Sequence, residues 1–127
     1  MSRYKYGADE KAKFIEEVTS RFKAVALGVI KVMEQTPSSP ATNVMRYQLL
    51  KSATSASANY RAACRARSQR EFFAKLSITV EETDETEHWL ELFRDSVVQV
   101  DKEEIERLRL EISKLLALVA KARKNTK

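Results

Sequence analysis

The chain has 127 residues, enough for about one domain, of which 43% are apolar, and it carries a net charge of +5. Its two glycines and two prolines are too few for a many-turned β sandwich or barrel and leave no glycine-rich phosphate loop. One cysteine and one histidine exclude an internal disulfide and a histidine-rich metal site within a single chain.

The first two predicted helices are separated by the only proline-rich stretch, Pro37-Ser-Ser-Pro40. The first helix covers residues 9–35 and carries apolar residues at spacings of three and four: Phe14, Val18, Phe22, Val25, Val29 and Val32. The second covers residues 42–67. It has a face of small residues that favours close approach of another helix, made of Ala53, Ala56, Ser57, Ala63 and Cys64.

The next two predicted helices each begin at a capping box, Ser68 with Glu71 and Asp101 with Glu104. The third covers residues 69–97, with a stripe of Phe72, Leu76, Val80, Thr83, Leu90 and Val97. The fourth covers residues 102–124, with a stripe of Ile105, Leu108, Ile112, Leu115 and Val119. Four helices of similar length and short loops predict an all-α fold, an antiparallel up-and-down four-helix bundle that spans residues 1–127 as one domain.

We expect neither a membrane span nor a signal peptide. No stretch approaches 18 uncharged apolar residues, and the opening Met-Ser-Arg-Tyr-Lys-Tyr leads into no apolar region. The expectation is therefore a cytoplasmic protein without a membrane partner.

Charge is segregated along the chain. Residues 1–40 carry a net charge of +2, and residues 41–80 carry +6, with seven basic residues against Glu71 alone. Residues 81–106 carry −9, and residues 107–127 return to +6. Such segregation suits either a polyanionic partner or self-association, although charged solvated helix faces are common in any soluble protein.

Two sets of basic residues are regularly spaced. Arg107, Lys114 and Lys121 recur every seven residues on the fourth helix, opposite its apolar stripe. Lys51, Arg61 and Arg65 share an arc of the second helix, and Arg67 and Arg70 follow at the next turn. These eight residues are candidate phosphate contacts for RNA or DNA. No recognition-helix, zinc-finger or aromatic-platform motif accompanies them, so base readout is not indicated.

The third helix has a second apolar patch. A helical wheel places Ile78, Trp89 and Leu92 on the side opposite the stripe, among Glu82 and Glu85. A helix in an isolated bundle has one buried face, so this patch predicts a subunit interface of a homo-oligomer. A partly exposed Trp without a role is the alternative.

The sequence gives little support for a catalytic or metal site. Glu85-Thr86-Glu87-His88 contains the Glu-x-x-His spacing of di-iron bundles, but those sites need two such pairs and further inward carboxylates. Cys64 has no second cysteine or nearby histidine and is expected to be a buried, inert thiol. The serines of the second helix form no nucleophile elbow. We therefore expect no enzyme, no metal and no cofactor.

The second and third helices resemble a known family. Leu49–Ala63, Arg65–Ser68, Glu71–Ile78, Glu81-Glu82, Glu85-Thr86 and Trp89–Leu92 match the pattern of the 23S rRNA-intervening-sequence proteins. The resemblance extends over about residues 14–95 and is strongest over residues 49–92. It implies a four-helix bundle that assembles into a ring of five subunits, with packing or assembly roles for Asn59-Tyr60-Arg61 and Trp89-Leu90-Glu91-Leu92. It supplies no catalytic residues.

A distantly related group serves as the basic accessory protein of diversity-generating retroelements, where it binds a reverse transcriptase and nucleic acid. Two functional hypotheses follow from the residues and the resemblance together. The first is a non-enzymatic homo-oligomer, a pentamer, that binds RNA or DNA non-specifically through basic helix faces. The alternative is a protein-interaction scaffold, with a reverse transcriptase as one partner it would suit and no role for nucleic acid.

Overall fold

The computed structural model describes the backbone of residues 2–126 and the side chains of residues 9–126. Within that range the chain forms four α-helices and no strands: α1 (Ser2–Glu34), α2 (Pro40–Cys64), α3 (Gln69–Asp95) and α4 (Lys102–Lys124). They pack as a four-helix bundle. Residues 1 and 127 of the predicted domain, and the side chains of the opening Met-Ser-Arg-Tyr-Lys-Tyr, lie outside the described residues.

Side-chain caps fix three of the helix starts. Ser39, Ser68 and Asp101 each accept a hydrogen bond from the backbone N–H three residues later, at 3.0–3.1 Å. The first of these caps was not predicted, and Pro40 follows it at the first helical position, where its missing N–H costs nothing. Helix α2 therefore begins two residues earlier than predicted.

The two capping boxes form only in part. The Glu71 carboxylate accepts from the N–H of Arg67 rather than from that of Ser68, at 3.3 Å. The Glu104 carboxylate instead accepts two hydrogen bonds from Arg107, at 2.6 and 2.7 Å. At Glu104 the guanidinium of Arg107 therefore replaces the backbone donor that the sequence pattern predicts.

One apolar core runs through the bundle. The five predicted stripe residues of α4 are all at most 1% exposed. The same core contains most of the predicted stripe of α1 and the small residues Ala53, Ala56 and Ala63 of α2. Ser57 and Cys64, predicted on that face, are only half-buried. Two other stripe predictions are wrong: Phe14 is 50% exposed near the end of the bundle, and Val97 is fully exposed because α3 ends at Asp95.

Helix α3 buries Thr79 and Thr86 in addition to Thr83, the one threonine of the predicted stripe. Thr79, Thr83 and Thr86 are fully buried, while Val80 is half-buried. Each threonine hydroxyl lies 2.6–2.9 Å from the carbonyl oxygen four residues earlier. These hydrogen bonds satisfy the polar atoms, so the methyl groups can pack in the core at little cost.

The side-chain contacts between α3 and α4 follow a regular order along the two helices. Along α3, Ser77 meets Arg123, Glu87 meets Arg109, and Arg94 meets Glu106. Partner numbers on α4 thus fall as those on α3 rise. The pairs of helices in contact are α1–α2, α2–α3, α3–α4 and α1–α4. Helices α2 and α4 therefore lie at diagonally opposite corners of the bundle.

Helices α1 and α4 approach closely at Gly28. A Cβ atom at this position would lie 2.8 Å from Cδ2 of the buried Leu108. That distance is shorter than a normal carbon–carbon contact, so the absence of a side chain lets the helices approach. The same two helices are also joined by an ion pair between Arg21 and Glu111, with hydrogen bonds of 2.8 and 2.9 Å. Arg21 lies about two turns before Gly28 on α1.

Candidate nucleic-acid interface

Five of the eight predicted phosphate-binding residues lie toward one end of the bundle. Arg61 is in the last turn of α2, Arg65 and Arg67 are in the following loop, Arg70 is in the first turn of α3, and Lys121 is in the last turn of α4. All five are exposed. We call residues 61–75 together with residues 117–126 the basic end.

The other three predicted residues lie elsewhere. Arg107 belongs to the opposite half of the bundle, and Lys51 and Lys114 lie about halfway along α2 and α4. Because α2 and α4 do not touch, the two basic stripes do not combine into one continuous face. Arg107 is also held by Glu104. Arg107, Lys114 and Lys121 are all exposed along α4, and their role as a phosphate-binding stripe stays a prediction.

Three cations of the basic end were missed by the sequence reasoning: Lys75, Arg123 and Lys124. Arg123 donates a hydrogen bond of 2.9 Å to Oγ of Ser77, and its guanidinium lies 5.5 Å from the ring centre of Phe73. These contacts hold it against α3 by hydrogen bonding and cation–π attraction. The +6 charge of residues 41–80 could have pointed to Lys75, and the +6 charge of residues 107–127 could have pointed to Arg123 and Lys124, without any requirement for regular spacing.

The basic end has a large net positive charge. It contains eight lysines and arginines and a single acidic residue, Glu71, which gives +7. The neighbouring residues 9–18 of α1 carry two lysines against four carboxylates, so the charge is concentrated on α2, α3 and α4. Among the described side chains, the only ion pair at the basic end joins Arg67 to Glu71 at 3.9 Å, with Arg67 91% exposed. These cations therefore remain accessible to an external anion.

The opposite end of α3 and α4 is acidic. Residues 84–95 and 101–111, which we call the acidic end, carry ten acidic and four basic residues, a net charge of −6. Five of its ten carboxylates are paired with arginines within the chain. Arg94 binds Asp95 and Glu106, and Arg109 binds Glu106 and Glu87. These guanidinium contacts lower the pKa of Asp95 and hold the pKa of Glu106 at about 2.

An open cleft lies between the basic end and the neighbouring part of α1. It has a volume of about 570 Å³, and residues from all four helices line it. Its walls are mostly apolar and include Phe14, Ile15, Tyr60, Phe72 and Leu76. Tyr60 is fixed from behind by stacking on Phe22, with ring centres 5.1 Å apart. Lys11 and Arg67 also line the cleft. We call this feature the end cleft.

The end cleft also contains the one cysteine. Cys64 is half-buried beside Tyr60, and burial raises the pKa of both the thiol and the phenol. A thiol with a raised pKa is a weak nucleophile at neutral pH. The geometry therefore agrees with an unreactive thiol in the wall of the cleft.

The structure separates the three predicted interface residues. Ile78 and Leu92 are 38% and 39% exposed and point away from the core. Trp89 is half-buried, packs against the core, and donates a hydrogen bond of 3.3 Å to Oε1 of Glu85. Trp89 therefore does not lie wholly on the side away from the core, where the helical wheel placed it, and its role in a subunit interface stays a prediction.

The Glu85-Thr86-Glu87-His88 segment gives no metal cluster. Within the described residues, no group of three or more His, Cys, Asp or Glu side chains is arranged to hold a metal ion. Thr86 is buried in the core, whereas His88 is exposed and packs edge-to-face on Trp89 at 5.1 Å. The described helices also include none that is long and apolar enough to cross a bilayer.

Comparison with known proteins extends the resemblance seen in the sequence. The sequence profile of the 23S rRNA-intervening sequence proteins matches residues 16–121, which covers most of α1 and all of α2 and α3. The chain belongs to this family. The match also covers α4 as far as Lys121, and it includes all eight predicted phosphate-binding residues.

A solved structure has a fold similar to that of this chain. It is a protein of unknown function from the S23 ribosomal protein family of Bacteroides thetaiotaomicron, 29% identical, with a TM-score of 0.71. The alignment covers 87% of this chain and 98% of that one. A search of curated proteins finds no significant match. The family membership thus fixes the fold but assigns no activity to the basic end.

Proposed function

We propose that this family member is a non-enzymatic, homo-oligomeric bundle that binds RNA or DNA non-specifically through its basic end. The observation that carries the proposal is the gathering of eight cations around one carboxylate on three helices. Among the described side chains, only the ion pair between Arg67 and Glu71 would compete with a bound phosphate for one of these cations. Clustered, unpaired lysines and arginines attract the phosphate backbone through counterion release, without reading sequence.

Salt dependence tests this proposal directly. Binding of a labelled RNA or DNA should weaken with a log–log slope of about −0.9 per neutralised phosphate for duplex DNA and about −0.7 for a single strand. Changing Arg67 and Arg70 to Gln should make the slope shallower by about one contact each. Lys51→Gln and Arg107→Gln are matched controls because they remove equal charge outside the basic end. Absent binding at low salt, or equal effects of both pairs, would contradict the proposal.

We further propose an antiparallel up-and-down topology and assembly into a cyclic homo-oligomer. The opposed order of contacts between α3 and α4 supports the first part. The exposed Ile78 and Leu92 support the second, since an apolar patch on one surface that meets a different surface closes into a ring when the rotation permits. Five subunits is the number that the family resemblance implies. The proposed setting is the cytoplasm.

A protein-interaction scaffold is the second candidate function. Val44 and Tyr47, one turn apart on α2, are 62% and 63% exposed, and an exposed aromatic beside an aliphatic side chain favours a protein partner. A reverse transcriptase is the partner that the resemblance suggests. Pull-down from nuclease-treated extract separates the two functions: a protein that remains bound to the wild type and is lost from Tyr47→Ser supports the scaffold.

A further inference from the structure

We propose that the end cleft receives a base of single-stranded nucleic acid, which makes the basic end a single-strand site rather than a general phosphate surface. This inference rests on the proposed function and adds a ligand class to it. It departs from the sequence prediction, in which no aromatic platform accompanied the basic residues. The fold supplies that platform from helices that are distant in sequence.

The first observation is the position of aromatic rings among cations. Phe14 of α1 and Phe72 of α3 both line the cleft, and Phe14 is 50% exposed. Arg67 lines the same cleft, and Arg65 and Arg70 are two and three residues away along the chain. Single-strand sites combine such a positive groove with aromatic side chains on which bases stack.

The second observation is the size and wall chemistry of the cleft. Its volume of about 570 Å³ falls in the usual range for small-molecule sites, about 300–1,000 Å³. The apolar walls can cover the faces of a base, and the exposed Gln69 on the lining offers both a hydrogen-bond donor and an acceptor. A duplex keeps its bases stacked inside and presents none to such a cleft.

The third observation is charge complementarity. The cleft opens between the basic end, with a net charge of +7, and residues 9–18 of α1, with a net charge of −2. Its surroundings are therefore net positive, which favours a polyanion over a neutral or basic apolar partner. A nucleic acid strand supplies both components, phosphates for the surrounding arginines and an aromatic face for the cleft. An apolar side chain of a protein partner would use the cleft but leave most of the cations without a counterpart.

The test compares ligands that differ only in their bases. Fluorescence anisotropy would measure the affinity of the full chain for an oligothymidine strand, for an abasic strand of equal phosphate number, and for a duplex of equal length. We expect the strand with bases to bind about 10-fold or more tightly than the abasic strand, in line with the gain from one stacked base.

Substitutions in the cleft sharpen the comparison. Phe14→Ala should lower affinity for oligothymidine to near that of the abasic strand and leave abasic binding unchanged. Phe14→Leu, which keeps an apolar side chain without a ring, gives the same result if stacking is the cause. Leu27→Ala is the matched control, since Leu27 is a comparably exposed residue of α1 at 57% that does not line the cleft.

The outcomes separate this inference from the proposed function. Equal affinity for oligothymidine and the abasic strand, or no effect of either Phe14 variant, overturns the single-strand site while salt-dependent binding upholds the phosphate surface. Loss of binding to every nucleic acid at low salt overturns both. A protein partner released by Phe14→Ala in the absence of nucleic-acid binding assigns the cleft to that partner instead and also overturns the inference.

Discussion

The ammonium group of Lys102 lies 2.8 Å from the carbonyl oxygen of Phe93 and donates a hydrogen bond to it. The same Nζ donates to the carbonyls of Arg94 and Ser96, at 3.0 and 2.6 Å. These carbonyls belong to the end of α3, where backbone acceptors have no partner within the helix. A lysine from the first turn of α4 thus caps the preceding helix and fixes the turn between them.

Replacing this lysine should destabilise the bundle. Lys102→Met keeps the aliphatic stem and removes the donor, and we expect a loss of about 1–2 kcal/mol in the free energy of unfolding, because charged hydrogen bonds and a cation at a helix C-terminus each contribute on that scale. Urea denaturation followed by circular dichroism measures it. Lys23→Met, at an exposed position in the middle of α1, should change stability by less than about 0.5 kcal/mol.

The buried hydroxyls of Ser52 and Thr86 should be energetically coupled. Their Oγ atoms lie 3.0 Å apart between α2 and α3, and each is also near a carbonyl of its own helix. Each single variant, Ser52→Ala or Thr86→Val, should cost about 1 kcal/mol, and the double variant should cost less than the sum because either substitution alone already removes the contact between the two hydroxyls. Strict additivity in a double-mutant cycle would show that the contact contributes nothing.

Acid should weaken the acidic end through Glu106. In the folded chain its pKa is about 2, lowered chiefly by the hydrogen bonds that Arg109 donates to it and further by Arg94. The folded-state pKa lies below the unfolded value, so the stabilisation is complete above about pH 4.5 and is lost as the pH falls toward 2.

Arg109→Gln should therefore raise the pKa of Glu106 toward its ordinary value and flatten this part of the acid-unfolding curve. Carbon-13 NMR of the glutamate carboxyls measures the pKa, and thermal melts from pH 2 to 6 measure the stability. Arg107→Gln is the control, because Arg107 pairs with Glu104 and should leave Glu106 unchanged. An unaltered Glu106 pKa in Arg109→Gln would refute this assignment.

Assembly should depend on Ile78 and Leu92 more cleanly than on Trp89. Replacing both exposed residues with Ser removes apolar area from the proposed interface, where burial of one large side chain contributes about 1.5–3 kcal/mol. We expect at least about a 30-fold increase in the subunit dissociation constant, with the helical content retained.

Trp89→Ala should instead weaken both assembly and the fold, since Trp89 also packs on the core. Light scattering over a dilution series reports the assembly, and Leu110→Ser, at an exposed position on α4, controls for loss of surface apolarity. A monomeric wild type would show that this surface serves another purpose.

Local signals in the sequence located the helices well. The break at Pro37-Ser-Ser-Pro40, the caps at Ser68 and Asp101, and the stripe of α4 depend on residues within one or two turns of each other, and the structure confirms them. The predictions that failed concern helix ends and flanks. Phe14 and Val97 follow the apolar period, yet they extend past the point where a neighbouring helix could cover them.

The sequence predicted the charge of the segments that form the candidate site, but not how the fold brings their residues together. The sequence alone determined that two segments, residues 41–80 and 107–127, are strongly basic and that the intervening segment is acidic. The tertiary structure decided which basic residues share one end, which carboxylates are neutralised by arginines, and that Phe14 and Phe72 line a cleft among the cations. The physical reason is range: helix periodicity and capping act over three or four residues, whereas contacts such as Arg21 with Glu111 join positions 90 residues apart, and only the packing of the four helices sets them.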